Sequence, residues 1–264
     1  MKRLFGLVGY RTLGFFGHVY DATQLTLDSM YWLTIAPLKG KGLRWRSSID
    51  QMVLIGVNSI PIIAVLSLAV GMILALQGAY ILRQFGASIY IADLVGVAMT
   101  RELSPLVVAV IVAGRSGSSF AAEIGTMKVS EEVDALITIG LNPTKFLVIP
   151  KLLAIVIMQP CLTMLSNVIS MTGGMVIGIG LLDLGVARYI NQTFNALILQ
   201  DIVTGLIKSV IFAIIIALVG CYEGFQVEGG AEGVGLHTTA SVVKSIFLVI
   251  FADLVVTTFF FFFL

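Results

Sequence analysis

The sequence predicts an all-α integral membrane protein built around one transmembrane domain. Of its 264 residues, 58% are hydrophobic and 12% are charged, whereas soluble domains carry about 25% charged residues. Several apolar runs reach the roughly 18–20 residues that a helix needs to cross the hydrocarbon core of a bilayer. The net charge is only +1 and no basic patch with interleaved aromatic residues occurs, so we expect no nucleic-acid partner.

Five apolar stretches are the predicted spans: Ile60 to Leu82, Ile89 to Ala113, Phe146 to Leu182, Ile202 to Cys221 and Val242 to Leu264. The third would be about 55 Å long as a straight helix, which is too long for one perpendicular crossing and tight for two. Six spans are therefore the alternative to five. Pro150 and Pro160 favour one kinked helix, and Gly174 and Gly178 would let another helix approach it closely.

Residues 1–47 are predicted to form an amphipathic segment that lies in the membrane interface, because apolar and charged residues alternate there. A free cytosolic tail is the alternative. The basic cluster Lys39, Lys41, Arg44 and Arg46 closes this segment, and residues 48–264 form the membrane domain. The distribution of Lys and Arg places the N-terminus in the cytoplasm, so an odd number of spans puts the C-terminus on the other side.

Four ionisable residues lie inside the predicted spans: Arg101, Glu102, Lys208 and Asp253. A central Arg costs about 2.5–3.5 kcal/mol on the insertion scale, so such charges usually face a bundle interior or a cavity. Two positive and two negative groups on three spans predict mutual pairing, although Lys208 could instead extend to the interface. Pro105 would leave a backbone carbonyl unpaired beside Arg101 and Glu102, which favours a functional polar site there.

A small and flexible segment, Ala113 to Ser119, is predicted to end the second span. A helix over about 121–139 follows, with acidic residues along one edge, and Gly140 and Pro143 stop it. This cytoplasmic helix either docks with a partner or is a solvated loop helix. The chain has no G-x-x-x-x-G-K-[ST] loop, so we do not expect nucleotide hydrolysis, and the glycine-rich residues Tyr222 to Ala240 read as a flexible connection.

Three motifs carry a family resemblance: Arg101-Glu102-Leu103-Ser104-Pro105, Ala113-Gly114-Arg115-Ser116-Gly117 and Ala122-Glu123-Ile124-Gly125-Thr126-Met127. This block resembles the signature of MlaE-family permeases, the membrane subunits of MCE-associated ABC transporters that move lipids. The similarity continues in Gly71-Met72, Leu76-Gln77-Gly78 and Ile207-Lys208-Ser209-Val210, and it covers about residues 45–260.

The resemblance implies an N-terminal interfacial helix, five transmembrane helices and a cytoplasmic coupling helix. It also implies a homodimer in a bacterial inner membrane, with its C-terminus in the periplasm, that moves phospholipids for outer-membrane lipid asymmetry. The expected partners are an ABC ATPase subunit, a periplasmic MCE-domain protein and a STAS-domain subunit. ATP and Mg would be bound by the ATPase, so this chain would be neither an enzyme nor a cofactor-binding protein.

The resemblance further assigns roles to residues. Arg101, Glu102, Lys208 and Asp253 match intramembrane charges near a lipid cavity. Candidates for the lining of that cavity are Ile73, Leu74, Leu76, Gln77 and Tyr80. Candidates for contact with the ATPase are Glu123, Met127, Lys128, Glu131, Glu132 and Asp134. Two alternatives remain: a scaffold that tethers an MCE ring without transport, and an intramembrane enzyme using Glu102 as general acid or base, for which no second catalytic group is visible.

Overall fold

The computed structural model describes residue 17, residues 20–35 and residues 44–263. These residues contain helices and no strand. Five helical segments are long and apolar enough to cross a membrane, and we call them spans 1 to 5: Trp45–Phe85, Ser88–Val129, Thr144–Leu182, Leu199–Phe225 and Gly230–Phe262. The protein is therefore an all-α, multi-pass membrane protein with five spans, and the third stretch forms a single crossing.

The described residues form eleven α-helices, eight of them within the spans: α1 (20–30), α2 (Trp45–Gly56), α3 (Ile60–Leu82), α4 (Ile91–Ala98), α5 (Ser104–Val112), α6 (Ser118–Val129), α7 (Glu132–Thr138), α8 (Ile149–Leu182), α9 (Val186–Ala196), α10 (Leu199–Phe225) and α11 (Gly230–Phe263). A 3₁₀ turn, Val57–Ser59, joins α2 to α3. Two π-helical turns, Met99–Leu103 and Ala113–Gly117, join α4, α5 and α6. Spans 1 and 2 are thus continuous helical segments assembled from shorter helices.

Two predicted span ends differ from the structure. Span 1 begins at Trp45 rather than Ile60, because α2 packs against α8 and continues directly into α3. The prediction that Ala113 to Ser119 ends span 2 is wrong, since this segment is a π-helical turn followed by α6. Its small side chains serve close packing: a Cβ on Gly220 of α10 would lie 2.8 Å from the Gly117 carbonyl oxygen.

Span 3 lies at the centre of the bundle and crosses span 1 at very short range. A Cβ added to Gly71 would lie 2.0 Å from the carbonyl oxygen of Ser170, and one on Gly173 would lie 2.4 Å from that of Leu68. Beside this crossing the hydroxyls of Ser67 and Ser166 share a hydrogen bond of 2.7 Å. Lipid tails are as apolar as the side chains of a helix, so burial of apolar surface does not drive helices together in a bilayer. Small residues instead let two backbones pack closely, and this close contact holds spans 1 and 3 together.

The segment between spans 3 and 4 contains α9, which packs beside span 3. The ring of Tyr189 lies across Gly174 and Gly178, where a Cβ would come within 2.8–2.9 Å of its atoms. The small pair thus admits a neighbouring helix, as predicted, and that neighbour is α9. Burial raises the pKa of Tyr189 to about 12, so its hydroxyl stays neutral.

The glycine-rich connection between spans 4 and 5 is a tight turn, and its prediction as a long flexible loop is wrong. Span 4 continues to Phe225 and α11 starts at Gly230. Gly229 and Gly230 adopt φ values of +84° and +73°, which favour glycine. A Cβ on Gly233 would lie 1.7 Å from the Glu228 carbonyl oxygen, so this glycine lets the chain fold back.

The N-terminal helix α1 packs on the bundle. Leu25 contacts the buried cluster at the centre, and Ala22 and Thr26 line a shallow cavity with Tyr222 of span 4. Residues 1–16, 18–19 and 36–43, with Lys39 and Lys41, lie outside the described residues, so the interfacial placement of residues 1–47 stays a prediction.

Candidate functional site

A charged cluster joins three spans inside the bundle. Lys208 of α10 is fully buried, and its ammonium group forms ion pairs with Glu102 of span 2 and with Asp253 of span 5, the latter at 2.9 Å. The ammonium also donates a hydrogen bond to the hydroxyl of Thr257 at 2.7 Å. We call these four residues the polar centre. Lys208 therefore does not extend to the interface, and the mutual pairing predicted for it is confirmed.

The backbone around Pro105 places Glu102. Proline has no N–H group, so it cannot bond the carbonyl of Arg101 in an α-helical pattern. The N–H of Ser104 instead bonds the carbonyl of Met99, which closes the π-helical turn that holds Glu102. A Cβ on Gly205 of α10 would lie 2.2 Å from the Thr100 carbonyl oxygen, so spans 2 and 4 touch backbone to backbone beside the polar centre. Such π turns frequently mark functional sites.

Arg101 points away from the polar centre, so the prediction that all four charges pair together is wrong for this residue. Its guanidinium Nη1 lies 3.7 Å from Oδ1 of Asp201, a buried residue in the first turn of α10. The other carboxylate oxygen of Asp201 accepts the N–H of Ile198 at 3.4 Å. Sequence reasoning missed Asp201, although an acidic residue immediately before a predicted span, where the helix N-terminus favours negative charge, is a recognisable signal.

The charges of the polar centre do not balance when both carboxyl groups are ionised. One ammonium faces two carboxylates, and the Glu102 and Asp253 side chains are 33% and 19% exposed whereas Lys208 is not exposed at all. A molecule that enters from the side of the bundle therefore meets hydrogen-bond acceptors before it meets the ammonium group. Such a site can hold the polar head of an amphiphile, with its apolar part against the surrounding spans.

The cavity-lining candidates on α3 divide between two faces. Ile73, Leu76, Gln77 and Tyr80 follow helical spacing and are exposed, whereas Leu74 packs into a buried cluster with Val95 and Met99. Leu76 and Tyr80 also line a cavity of about 430 Å³ between the adjacent ends of spans 1 and 3, with Arg83, Gln84 and Leu181. Three of the four exposed candidates, Ile73, Leu76 and Tyr80, have mainly apolar side chains.

Helix α6 is clamped to spans 3 and 4 at the opposite end of the bundle. The buried ammonium of Lys151 in α8 donates to the Glu123 carboxylate at 2.5 Å. Lys128 donates to the carbonyl oxygen of Phe225 at 2.5 Å, which satisfies an end group of α10. Two of the predicted coupling residues thus hold α6 in place.

The helix predicted over 121–139 is divided in two. Glu131, at φ +60°, separates α6 from α7, whose Glu132 and Asp134 are exposed. Met127 is half-buried and lines a small cavity beside Lys151. Of the six residues predicted to contact an ATPase, Glu131, Glu132 and Asp134 therefore present an open acidic edge.

Glu131→Gly tests the backbone at this division. A non-glycine residue in the left-handed region costs roughly 1–2 kcal/mol, so glycine should raise the free energy of unfolding by up to about 1 kcal/mol. Glu131→Val, which is β-branched, should lower it. Thermal unfolding of the purified chain in detergent measures both changes. A large loss of stability in Glu131→Gly would mean that the side chain, and not the backbone, sets this geometry.

Comparison with known proteins gives a family. The family model described as "Permease MlaE" matches residues 48–259. A probable ABC transporter permease protein of Rickettsia prowazekii is 41% identical over 97% of this chain and 96% of its own length. A probable ABC transporter permease protein of Synechocystis is 39% identical over 79% of both chains. The chloroplastic protein TRIGALACTOSYLDIACYLGLYCEROL 1 of Arabidopsis thaliana is 35% identical over 85% of this chain and 64% of its own length. The match over most of the chain, five spans included, makes this protein a member of the MlaE permease family.

Proposed function

We propose that this chain is the permease subunit of an ABC transporter that moves phospholipids between a bacterial inner membrane and periplasmic MCE proteins, for outer-membrane lipid asymmetry. The polar centre carries the proposal. Lys208 is buried against Glu102 and Asp253, whose side chains are partly exposed. Intramembrane charges of this kind mark substrate pathways, and family membership supports a permease role.

ATP hydrolysis is assigned to a separate ATPase subunit, which would bind ATP and Mg. The probable permease names of the Rickettsia and Synechocystis relatives support this division of labour. Helix α6 continues span 2, which also holds Glu102, and it is clamped to spans 3 and 4 by Lys151 and Lys128. A force that the ATPase applies to the acidic edge of α7 would therefore reach spans 2, 3 and 4 through α6.

The remaining partners are proposed on the same basis. The exposed face of α3, with Ile73, Leu76, Gln77 and Tyr80, would line a lipid cavity between two copies of this chain. An MCE-domain protein would cover the end of the bundle beside Arg83. A STAS-domain subunit would bind at the opposite end, where α6 and α7 would contact the ATPase. The N-terminus would lie in the cytoplasm and the C-terminus in the periplasm, in keeping with the distribution of Lys and Arg.

Reconstituted transport tests this function. The chain, its ATPase and its MCE partner in liposomes should transfer fluorescent phospholipid when ATP is added, and Glu102→Gln should lower the rate about tenfold or more because the site loses a charge. Arg101→Ala should also lower the rate while the complex stays assembled. Glu232→Gln changes an exposed acid outside the polar centre and is the matched control.

Two outcomes would contradict the proposal. A complex that hydrolyses ATP but transfers no lipid, in the wild-type form, would favour the scaffold that only tethers an MCE ring. Normal transfer by both Glu102→Gln and Arg101→Ala would mean that the intramembrane charges serve stability alone. Size-exclusion chromatography of each variant complex distinguishes a loss of transfer from a loss of assembly.

A further inference from the structure

A second polar cavity lies away from the polar centre, at the end of the bundle where most Lys and Arg residues occur. It has a volume of about 180 Å³ and is enclosed by the start of α2, by α6 and by the start of α8. Its polar lining comes from Arg44, Ser47, Gln51, Glu123 and Lys151. Glu123 and Met127 of this lining are also candidates for contact with an ATPase, whereas the cavity itself has no assigned occupant.

The cavity is positively charged and its cations are held in place. The guanidinium carbon of Arg44 lies 3.6 Å from the centre of the Phe146 ring, and its Nη1 donates to the Phe146 carbonyl oxygen at 3.4 Å. The Lys151 ammonium is buried, donates to Glu123, and lies 5.2 Å from the Phe120 ring. Two cations against one carboxylate leave one net positive charge, which suits a phosphate diester.

The surroundings of the cavity match the headgroup region of a bilayer. Trp45 is 57% exposed next to Arg44, and the Lys145 ammonium lies 5.0 Å from the centre of the Trp32 ring. Tryptophan and basic side chains are enriched at membrane interfaces, and basic pockets between transmembrane helices at the cytoplasmic side bind anionic headgroups. The exposed Leu54 lies on the same face of α2 as Ser47, so an acyl chain can run along it.

We propose that this cavity binds the phosphate of an anionic phospholipid from the leaflet at the Lys/Arg-rich end of the bundle. The cavity accommodates a phosphate and part of its glycerol but not a whole lipid, so the chains stay in the bilayer. The bound headgroup touches Glu123 and Met127 of α6 as well as α2 and α8. It therefore fastens α6 to spans 1 and 3, and this role does not depend on the transport function.

Native mass spectrometry of the full chain in a neutral detergent tests the proposal. The delipidated protein is titrated with phosphatidylglycerol, with phosphatidylcholine and with inorganic phosphate. One phosphatidylglycerol should bind more tightly than phosphatidylcholine, and Arg44→Gln should weaken that binding about tenfold, as expected for the loss of a charge-assisted contact. Arg46→Gln removes the same charge two residues away, outside the lining of the cavity, and should weaken it less than about twofold.

A second variant keeps the test decisive if Arg44→Gln fails to fold. Ser47→Leu fills the cavity without a change of charge and should also weaken phosphatidylglycerol binding. Equal losses in Arg44→Gln and Arg46→Gln would mean general attraction to a basic surface and would overturn the proposal. Unchanged binding by Ser47→Leu, equal binding of phosphatidylcholine, or equally tight binding of inorganic phosphate would overturn it as well.

Discussion

Lys208→Met is expected to lower the free energy of unfolding by about 3–5 kcal/mol, the usual loss when one partner of a buried ion pair is removed. The ammonium group of Lys208 is fully buried, and without it the carboxylates of Glu102 and Asp253 would face each other, with the hydroxyl of Thr257 as the remaining partner of Glu102. Thermal unfolding in detergent, followed by size-exclusion chromatography, measures the loss.

Lys244→Met is the matched control for this prediction. Lys244 also lies on a span and pairs with a buried carboxylate, that of Glu223, at 2.6 Å. Its side chain is 57% exposed, however, and Glu223 keeps a second partner, Nδ1 of His237, at 2.9 Å. The loss should therefore stay below about 1 kcal/mol. Equal stability of Lys208→Met and the wild type would contradict the ion pairing described for the polar centre.

Neutralising the whole polar centre separates its structural role from its proposed function. A triple variant, Lys208→Met with Glu102→Gln and Asp253→Asn, leaves no buried charge unpaired, so much of the lost stability should return. Lipid transfer should not return, because the polar headgroup loses its charged partners. A triple variant that transfers lipid normally would show that the charges are needed only for folding.

Gly173→Ala carries the second large expected effect. Its Cβ would lie 2.4 Å from the Leu68 carbonyl oxygen at the crossing of spans 1 and 3, so the two backbones must move apart. Overpacking of this kind costs about 1–3 kcal/mol and occasionally more, against a gain of up to about 1 kcal/mol in helix propensity. The thermal unfolding temperature in detergent should fall.

Gly180→Ala is the control in the same helix. Among the described residues, no atom outside the adjoining part of α8 lies within 4 Å of the Cβ that it would add, so only the gain in helix propensity remains. The two variants should therefore shift the unfolding temperature in opposite directions. A loss of similar size in both would mean that glycine flexibility, and not the close backbone contact, matters in α8.

The number of spans could be predicted from the sequence because the presence of a span depends on the length and composition of an apolar stretch. The end of span 2 could not, because Ala113 to Ser119 has the composition of a loop. Only the partner helix explains its conformation: Gly117 packs against Gly220 and Ile216 of α10. Similarly, the glycines after Phe225 indicated flexibility, whereas they allow a turn too tight for side chains.

The candidate site shows the same division between composition and contact. Arg101, Glu102, Lys208 and Asp253 were identifiable because charges are costly within apolar stretches. Which of them pair depends on the axial position of span 4 along span 2. The close contact between Gly205 and Thr100 sets that position. This axial position brings Glu102 to Lys208 and Arg101 to Asp201. It is a relation between two helices, so it cannot be predicted from the spacing of residues within either one.

The two π-helical turns of span 2 have a mechanical consequence. Each holds one residue more than an α-helical turn, and α5 lies between them as a short rigid rod. Passing that extra residue along the helix would rotate the intervening side chains by about 100° and advance them by about 1.5 Å. The side chains of α5 would then turn relative to spans 3 and 4, against which α5 packs, while both ends of span 2 kept their positions.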